Sequence, residues 1–459
     1  MFPLFDPIVG YGLLAAYAAI SFAGVYLFSR GYNNDKPSFL LARRELNFAS
    51  GALSIAAAWL WAPGLFISAQ QAYMNGIAGL FWFCLGNFLT LMFFAGYAYK
   101  LRIQSPEGFT ISGFIQENYG GSAHRIYQVE MLALTVCAFA INLIAGGTTV
   151  AILTGMSYNI AIGIMTLIAL SYVLLNGLKA TVVTEIIKIG VVWTTVIGIL
   201  ALFLSHPDMG AGITPRFDGV GDGDGSSIIG SFGWGVFTSF GIAAFLGHLA
   251  GPWRDNNFYQ RAFAIKKNHI IPAFVLAACI FICIPLAMGY VGFIGAGSGV
   301  EVASDDVFNV NIITIGTLLP SWVAALFTFA IMAGLVSIID SQLSSISNII
   351  GNDFSTPETS IKNARHGMVA LACLGLAVAM YKVSMGDIFL FFSIMGTCLF
   401  IPTLTAIARP GLYSGNGLFV GIGLGFICAM PFYAIGSIFY ASLTALIAPP
   451  AIGMLISRR

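Results

Sequence analysis

Charge is scarce in this sequence: Asp, Glu, Lys and Arg make up 8% of 459 residues, where a soluble domain carries about 25%. That shortage excludes the soluble classes. The net charge is +1 and no dense basic run occurs, so no nucleic-acid surface is expected. The seven cysteines (Cys84, Cys137, Cys279, Cys283, Cys373, Cys398, Cys428) all fall in apolar runs without a CxxC, which argues against disulfide, metal or redox roles. There is no HExxH, no GxSxG and no nucleotide loop, and the loops leave no room for a soluble output domain. An enzyme or a sensor is therefore not expected. The N-terminus lacks a basic segment before its first apolar run, so that run is expected to be a first span and not a removable signal.

What the chain has in abundance is hydrocarbon. It is 58% hydrophobic with a mean hydropathy of +0.88. A helix needs about 20 apolar residues to cross a bilayer. Apolar runs read against turn signals predict an all-α polytopic membrane protein of about thirteen helices, near 8–28, 47–73, 76–100, 125–155, 158–176, 180–205, 227–250, 270–294, 320–351, 366–382, 386–407, 416–434 and 437–456. Placing the N-terminus outside puts seventeen of the twenty basic residues on the cytoplasmic side, among them Arg30, Arg254, Arg261 and Arg459. The acidic loops with Asp208, Asp218, Asp222, Asp224, Glu301, Asp305 and Asp306 then face out. This bias predicts an odd span count, an outside N-terminus and a cytoplasmic C-terminus in a bacterial-type inner (plasma) membrane.

Two spans do not read as ordinary helices. Span 2, GALSIAAAWLWAPGLFISAQQAY, carries Pro63 and Gly64 in its middle, where a break is expected. Unwound backbone at that depth is tolerated where it is buried or lines a cavity; a simple proline kink is the alternative. Span 7, five spans later, is interrupted by Gly230, Gly233, Gly235, Gly241 and Gly247. Interrupted helices at matching places in two halves indicate an inverted-repeat secondary transporter with a midplane site. The expected organisation is one transmembrane domain: 1–46 a peripheral helix and loop, 47–205 a first repeat, 227–407 a second, and 416–459 two peripheral helices.

Ionisable residues inside spans are costly and by default functional. Glu185 and Lys188 stand at i, i+3 in span 6, which allows a neutralising intrahelical pair. In span 9, Ser337, Asp340, Ser341, Ser344 and Ser345 line an apolar helix. Hydroxyl and carboxylate oxygens suit a hard cation, although membrane serines also bond back to their own helix. His248 reads as a helix-end residue near the cytoplasmic face, and Glu130 in span 4 stands apart from the break.

These residues resemble the solute:sodium symporter family. Gly334-Leu335-Val336-Ser337-Ile338-Ile339-Asp340-Ser341-Gln342 is similar to its span 9 pattern, and Gly177, Ala180, Thr184, Glu185 and Lys188 to its span 6 pattern. LLARREL before span 2 and NNFYQRAFA after span 7 also resemble family segments. The resemblance covers roughly residues 8 to 410 and implies a LeuT-type 5+5 inverted-repeat core. It implies Na+ held by the carbonyls of Ala57, Leu60 and Gly334 and the Ser337 hydroxyl, with Ile338 where a further hydroxyl is usual. A second Na+ would map to Glu185, Asp340 and Ser341. Lys188 stands where Gln is common and would modify coupling. Glu185, Asp340 and Lys188 sum to one negative charge, which leaves three readings open: Na+ coupling, H+ coupling through the cluster, or Lys188 standing in for the cation.

The solute is expected against the break, flanked by Trp59, Trp61 and Phe66, with polar contacts from Gln70, Gln71, Asn87, Asn142, Ser239 and Phe240. Aromatic faces suit a small planar or cationic solute, and no carboxylate near the break favours a cation. AWLWA and GIAGLFWF resemble the urea-active-transporter branch, which implies urea or a small amide. Amines, amino acids and monocarboxylates stay open, as does a passive channel. The solute and membrane lipid are the expected partners, nucleic acid is not, and the oligomeric state stays open.

Overall fold

A computed structural model describes residues 3–28, 35–205, 214–383 and 385–458. Arg30, Asp208 and Arg459, which the charge pattern assigned to sides of the membrane, lie outside these. Among the described residues, ten helices are long and apolar enough to cross a bilayer, and the protein is an integral membrane protein. We number α1 (Pro7–Phe28), α2 (Phe48–Trp59), α3 (Ala62–Gln104), α4 (Gly121–Thr154), α5 (Tyr158–Ser205), α6 (Ser231–Val236), α7 (Ile242–Leu249), α8 (Asn256–Ala264), α9 (Ile270–Gly297), α10 (Ser321–Asp353), α11 (Ser360–Met380), α12 (Met385–Ala408), α13 (Gly415–Ala434) and α14 (Ile438–Ser457). Most of the long helices are apolar all round, as a helix between lipid and protein must be.

Two of the ten long helices are bent double, and span 7 is made of shorter helices outside the ten, which is why ten helices stand where thirteen spans were read. α3 turns at Gly76 (φ 61°) and α5 at Gly177 (φ 54°), left-handed torsions that favour glycine. The Gly76 turn is stitched by a later loop. Val220 and Gly221 donate backbone N–H groups to the carbonyls of Tyr73 (2.8 Å) and Met74 (3.0 Å), while Ile77 and Ala78 donate to Phe217 (3.0 Å) and Gly225 (2.9 Å). Both orphaned ends of the turn are thereby satisfied.

The break in span 2 falls earlier than expected. α2 ends at Trp59, Leu60 is non-helical (φ −78°, ψ 69°), and α3 restarts at Ala62 with proline in its first turn. A proline is tolerated in a first turn, where its missing N–H has no partner to lose, so Pro63 starts the second half and does not itself break the first. Span 7 is not severed at its glycines. α6 runs into α7 through a π-helical turn at Phe237–Gly241, a widening that often marks function in a helix. The chain then turns at Ala250 into the short helix Gly251–Arg254.

α10 lies at the centre, packed against α5, α4 and α11, and α9 packs along α3. This places the unwound Leu60 beside Gly334 of α10: a β-carbon at Gly334 would stand 3.4 Å from the Leu60 side chain. Gly76→Ala forces a β-carbon into the Phe217 and Asp218 backbone at a torsion that costs about 1–3 kcal/mol for a non-glycine residue. A lowered unfolding temperature of the detergent-purified variant is the expected result.

Candidate functional site

Burial sorts the predicted site residues into three groups: a cavity at the helix break, a charged network, and residues that join neither. The cavity, about 30 Å³, is lined by Trp59, Trp61, Gly64, Asn87, His248, Gly251 and Arg254. That is room for about one water. A second cavity of about 270 Å³ adjoins it, lined among others by Phe83, Ser239, Phe240, His248 and Ser393. His248 lines both, with its Nε2 3.1 Å from the Asn87 amide nitrogen. Of the expected solute-site residues, Trp59, Trp61 and Asn87 line the first cavity, and Ser239 and Phe240 line the second.

Phe66, Gln70, Gln71 and Asn142 line neither cavity. Phe66 stacks on Phe308 with ring centroids 5.0 Å apart, Gln71 accepts from Asn75, and Asn142 donates to the Ala138 carbonyl of its own helix at 2.9 Å. Two members of the cavity were not read as site residues from the sequence. His248 stands in the last turn of α7, as a helix-end residue, yet lines both cavities, and Arg254 is buried, 5% exposed. Its guanidinium lies 4.0 Å from the Phe392 ring centroid, and Phe392 in turn meets Trp61 at 5.2 Å.

The cavity is rich in donors. The Trp59 indole N–H is buried with no partner, and Arg254 adds a guanidinium that is always charged and cannot accept a hydrogen bond. Such a lining suits a carbonyl or other acceptor and repels a cation.

The charged network contains two ion pairs. Lys188 on α5 pairs with Asp340 on α10. Arg261 on α8 pairs with Glu185 on α5. All four groups are at most 2% exposed. Asp340 Oδ2 also accepts from the Tyr172 hydroxyl at 2.5 Å and Thr184 at 2.9 Å, and Lys188 donates to the Tyr172 oxygen at 3.0 Å. Glu185 accepts from Ser341 at 2.5 Å and from Ser54, while Arg261 Nε donates to Ser54 at 3.1 Å. Arg261 corrects the charge sum. The three residues read from the sequence total −1, and the fourth brings the buried network to zero. The intrahelical Glu185–Lys188 pairing gives way to two interhelical ones.

Of the residues of the first Na+ position, Leu60 faces Gly334, the Ala57 carbonyl accepts from Leu60 N–H at 3.2 Å, and the Ser337 hydroxyl, one turn along α10 from Gly334, is buried with no partner among the described residues. An orphaned hydroxyl oxygen is of the type that suits a hard cation. At the second position Ser341 is engaged by Glu185 and its own helix, and both carboxylates already face side-chain cations.

Comparison with known proteins follows this geometry. A family model described as the sodium:solute symporter family matches residues 39–385. The chain is 24% identical over 306 residues to the probable urea active transporter 1 of Schizosaccharomyces pombe, covering 63% of this chain and 46% of that protein. It is 23% identical over 316 residues to the urea-proton symporter DUR3 of Oryza sativa subsp. japonica, covering 62% and 44%. The chain therefore spans less than half the length of these curated relatives. Among solved structures it is similar to a Na+-coupled sialic acid symporter in a substrate-bound outward-open state, with a TM-score of 0.80, 15% identity and coverage of 98% and 97%. A nucleobase-cation-symport-1 family transporter in a closed conformation matches with a TM-score of 0.59, 14% identity and coverage of 93% and 96%. These show the fold.

Removing one member of a buried pair strands the other, at about 3–5 kcal/mol. Lys188→Met alone is expected to lower the unfolding temperature sharply, and Lys188→Met with Asp340→Asn to recover most of the loss. Equal destabilisation by the single and the double variant would show that the pairing carries no coupling energy.

Proposed function

The chain belongs to the sodium:solute symporter family, and from that premise we propose that it is a secondary active transporter of a urea-like neutral amide, working by alternating access with one Na+ per cycle. The observation that carries the reading is the cavity at the unwound Leu60–Trp61 segment, with its aromatic walls and donor-rich lining. A planar amide presents two faces to Trp59 and Trp61 and a carbonyl oxygen to Arg254 and the free indole N–H of Trp59. The Asn87 side-chain oxygen accepts from the amide N–H groups. The urea transporters among the relatives support the choice of solute.

Ala57, Leu60, Gly334 and Ser337 would hold the Na+, which when bound draws the end of α2 onto α10. The Glu185, Asp340 and Ser341 cluster, by contrast, carries its own cations in Lys188 and Arg261, so the second Na+ is replaced by side chains. Thirteen membrane crossings, with α3 and α5 each counted twice at their glycine turns and α6 with α7 counted as one, two five-helix repeats, and the outside N-terminus in a plasma membrane complete the proposal. A proton-driven cycle is the second reading, favoured by the name of the rice relative.

Uptake of radiolabelled urea, acetamide, choline and lactate into proteoliposomes, under separate sodium and proton gradients, tests this. Urea and acetamide are expected to accumulate with an inward Na+ gradient, and choline not at all. Arg254→Gln is expected to cost about tenfold in urea uptake, the loss of one charge-assisted hydrogen bond. Ser337→Ala is expected to abolish sodium stimulation while leaving counterflow measurable. Accumulation that follows the proton gradient and ignores Ser337→Ala would reject the Na+ reading.

A further inference from the structure

Glu130 takes no part in the cavity or in the charged network. It lies on α4, 3% exposed, and its Oε2 has no hydrogen-bond partner. Among the described residues no Lys, Arg or His forms an ion pair with it. An ionised carboxylate so placed costs several kcal/mol, a penalty that a buried group avoids by staying protonated.

The surroundings give the proton something to do. The hydrogen bond between Tyr127 and Thr403, 2.8 Å, fastens α4 to α12 one turn from Glu130, and α12 carries Cys398 five residues before Thr403, with Pro402 inside the helix four residues after Cys398. A proline has no N–H, so the carbonyl of Cys398 loses its helical donor. A carboxylic acid can donate to a carbonyl and a carboxylate cannot. The titratable groups about Glu130 are Tyr127 on its own helix, bonded to Thr403 at 2.8 Å, and Cys398. Tyr119 and Tyr413 stand further off, beside Tyr127. α13, which also packs on α4, buries Leu418, Gly421, Ile422, Gly425 and Ala429 and no charged side chain.

α12 also reaches the solute cavity. Phe392, against Trp61 and Arg254, precedes Cys398 by six residues, about 9 Å along a helix. A shift of α12 that admits the solute therefore moves the wall that Glu130 faces.

We propose that Glu130 is a proton-binding site on the seam between α4 and α12. It is protonated while the seam is closed. When the seam admits water the O–H bond breaks, the proton passes to water and the carboxylate remains; closure reverses the step. The site is distinct from the Glu185 and Asp340 network and does not depend on the identity of the solute.

Infrared spectra of the purified full-length protein test the protonation directly. A carbonyl stretch of a protonated carboxyl is expected in the wild type, missing in Glu130→Gln and shifted in Glu130→Asp, which serves if the Gln variant does not fold. Exchange is tested by counterflow in proteoliposomes at equal internal and external pH. Wild-type counterflow is expected to fall about tenfold per pH unit above the apparent pKa, since only the acid form closes the seam, and Glu130→Gln to run flat over the same range. The same pH profile in the Gln variant, or an infrared band unaffected by both substitutions, overturns the proposal. Absence of urea counterflow in every protein would reject the solute reading and leave the infrared result to decide Glu130.

Discussion

A charge inside a membrane protein must find an opposite charge or cease to be one, and the interior of this protein is arranged around that constraint. Lys188 and Asp340 tie α5 to α10. Glu185 and Arg261 tie α5 to α8, with Ser54 of α2 bonded to both partners. The first half of the broken helix is thus fastened to the second half of the chain through a neutral, hydrogen-bonded cluster. Removal of any one charge leaves another stranded, so the four residues behave as a unit.

α2 is held by that cluster, and the backbone unwinds at its end, at Leu60. Leu60 faces Gly334 of α10, and the indoles of Trp59 and Trp61 line the cavity. An ion and a solute placed there would each stabilise the same local geometry, which is the physical content of coupling: the two ligands share a preferred state. In the present conformation the inner cavity holds about one water's volume, while the neighbouring cavity on the other side of His248 is several times larger. The His248 to Asn87 contact stands at the boundary between the two.

Much of the fold was legible because hydropathy and glycine placement are local signals. The all-helical membrane class, a break in span 2 and the span boundaries near Gly76 and Gly177 all follow from residues close together in the chain, whereas ten long helices stand where thirteen were read. The site was legible in part. Trp59, Trp61 and Asn87 were read from their nearness to the break and line its cavity, but Phe66 stacks on Phe308 and Gln71 bonds to Asn75 of its own helix. Arg254 and Arg261 were invisible because a positive charge after a span reads as a cytoplasmic loop. Only the fold shows that the segment after Ala250 returns beneath Trp59. Its composition, with Asn256, Asn257 and Gln260 buried beside Arg261, offered the one available hint, since a surface loop has no need of an apolar and amide-rich helix.

The central claim is that side-chain cations occupy the second ion position, leaving room for one Na+ at the end of α2. The ratio of radiolabelled Na+ to labelled urea entering proteoliposomes in the same interval measures this most directly. A ratio of one is predicted for the wild type; a ratio of two would contradict the account, because the second ion would then have to displace Lys188 or Arg261 from its carboxylate.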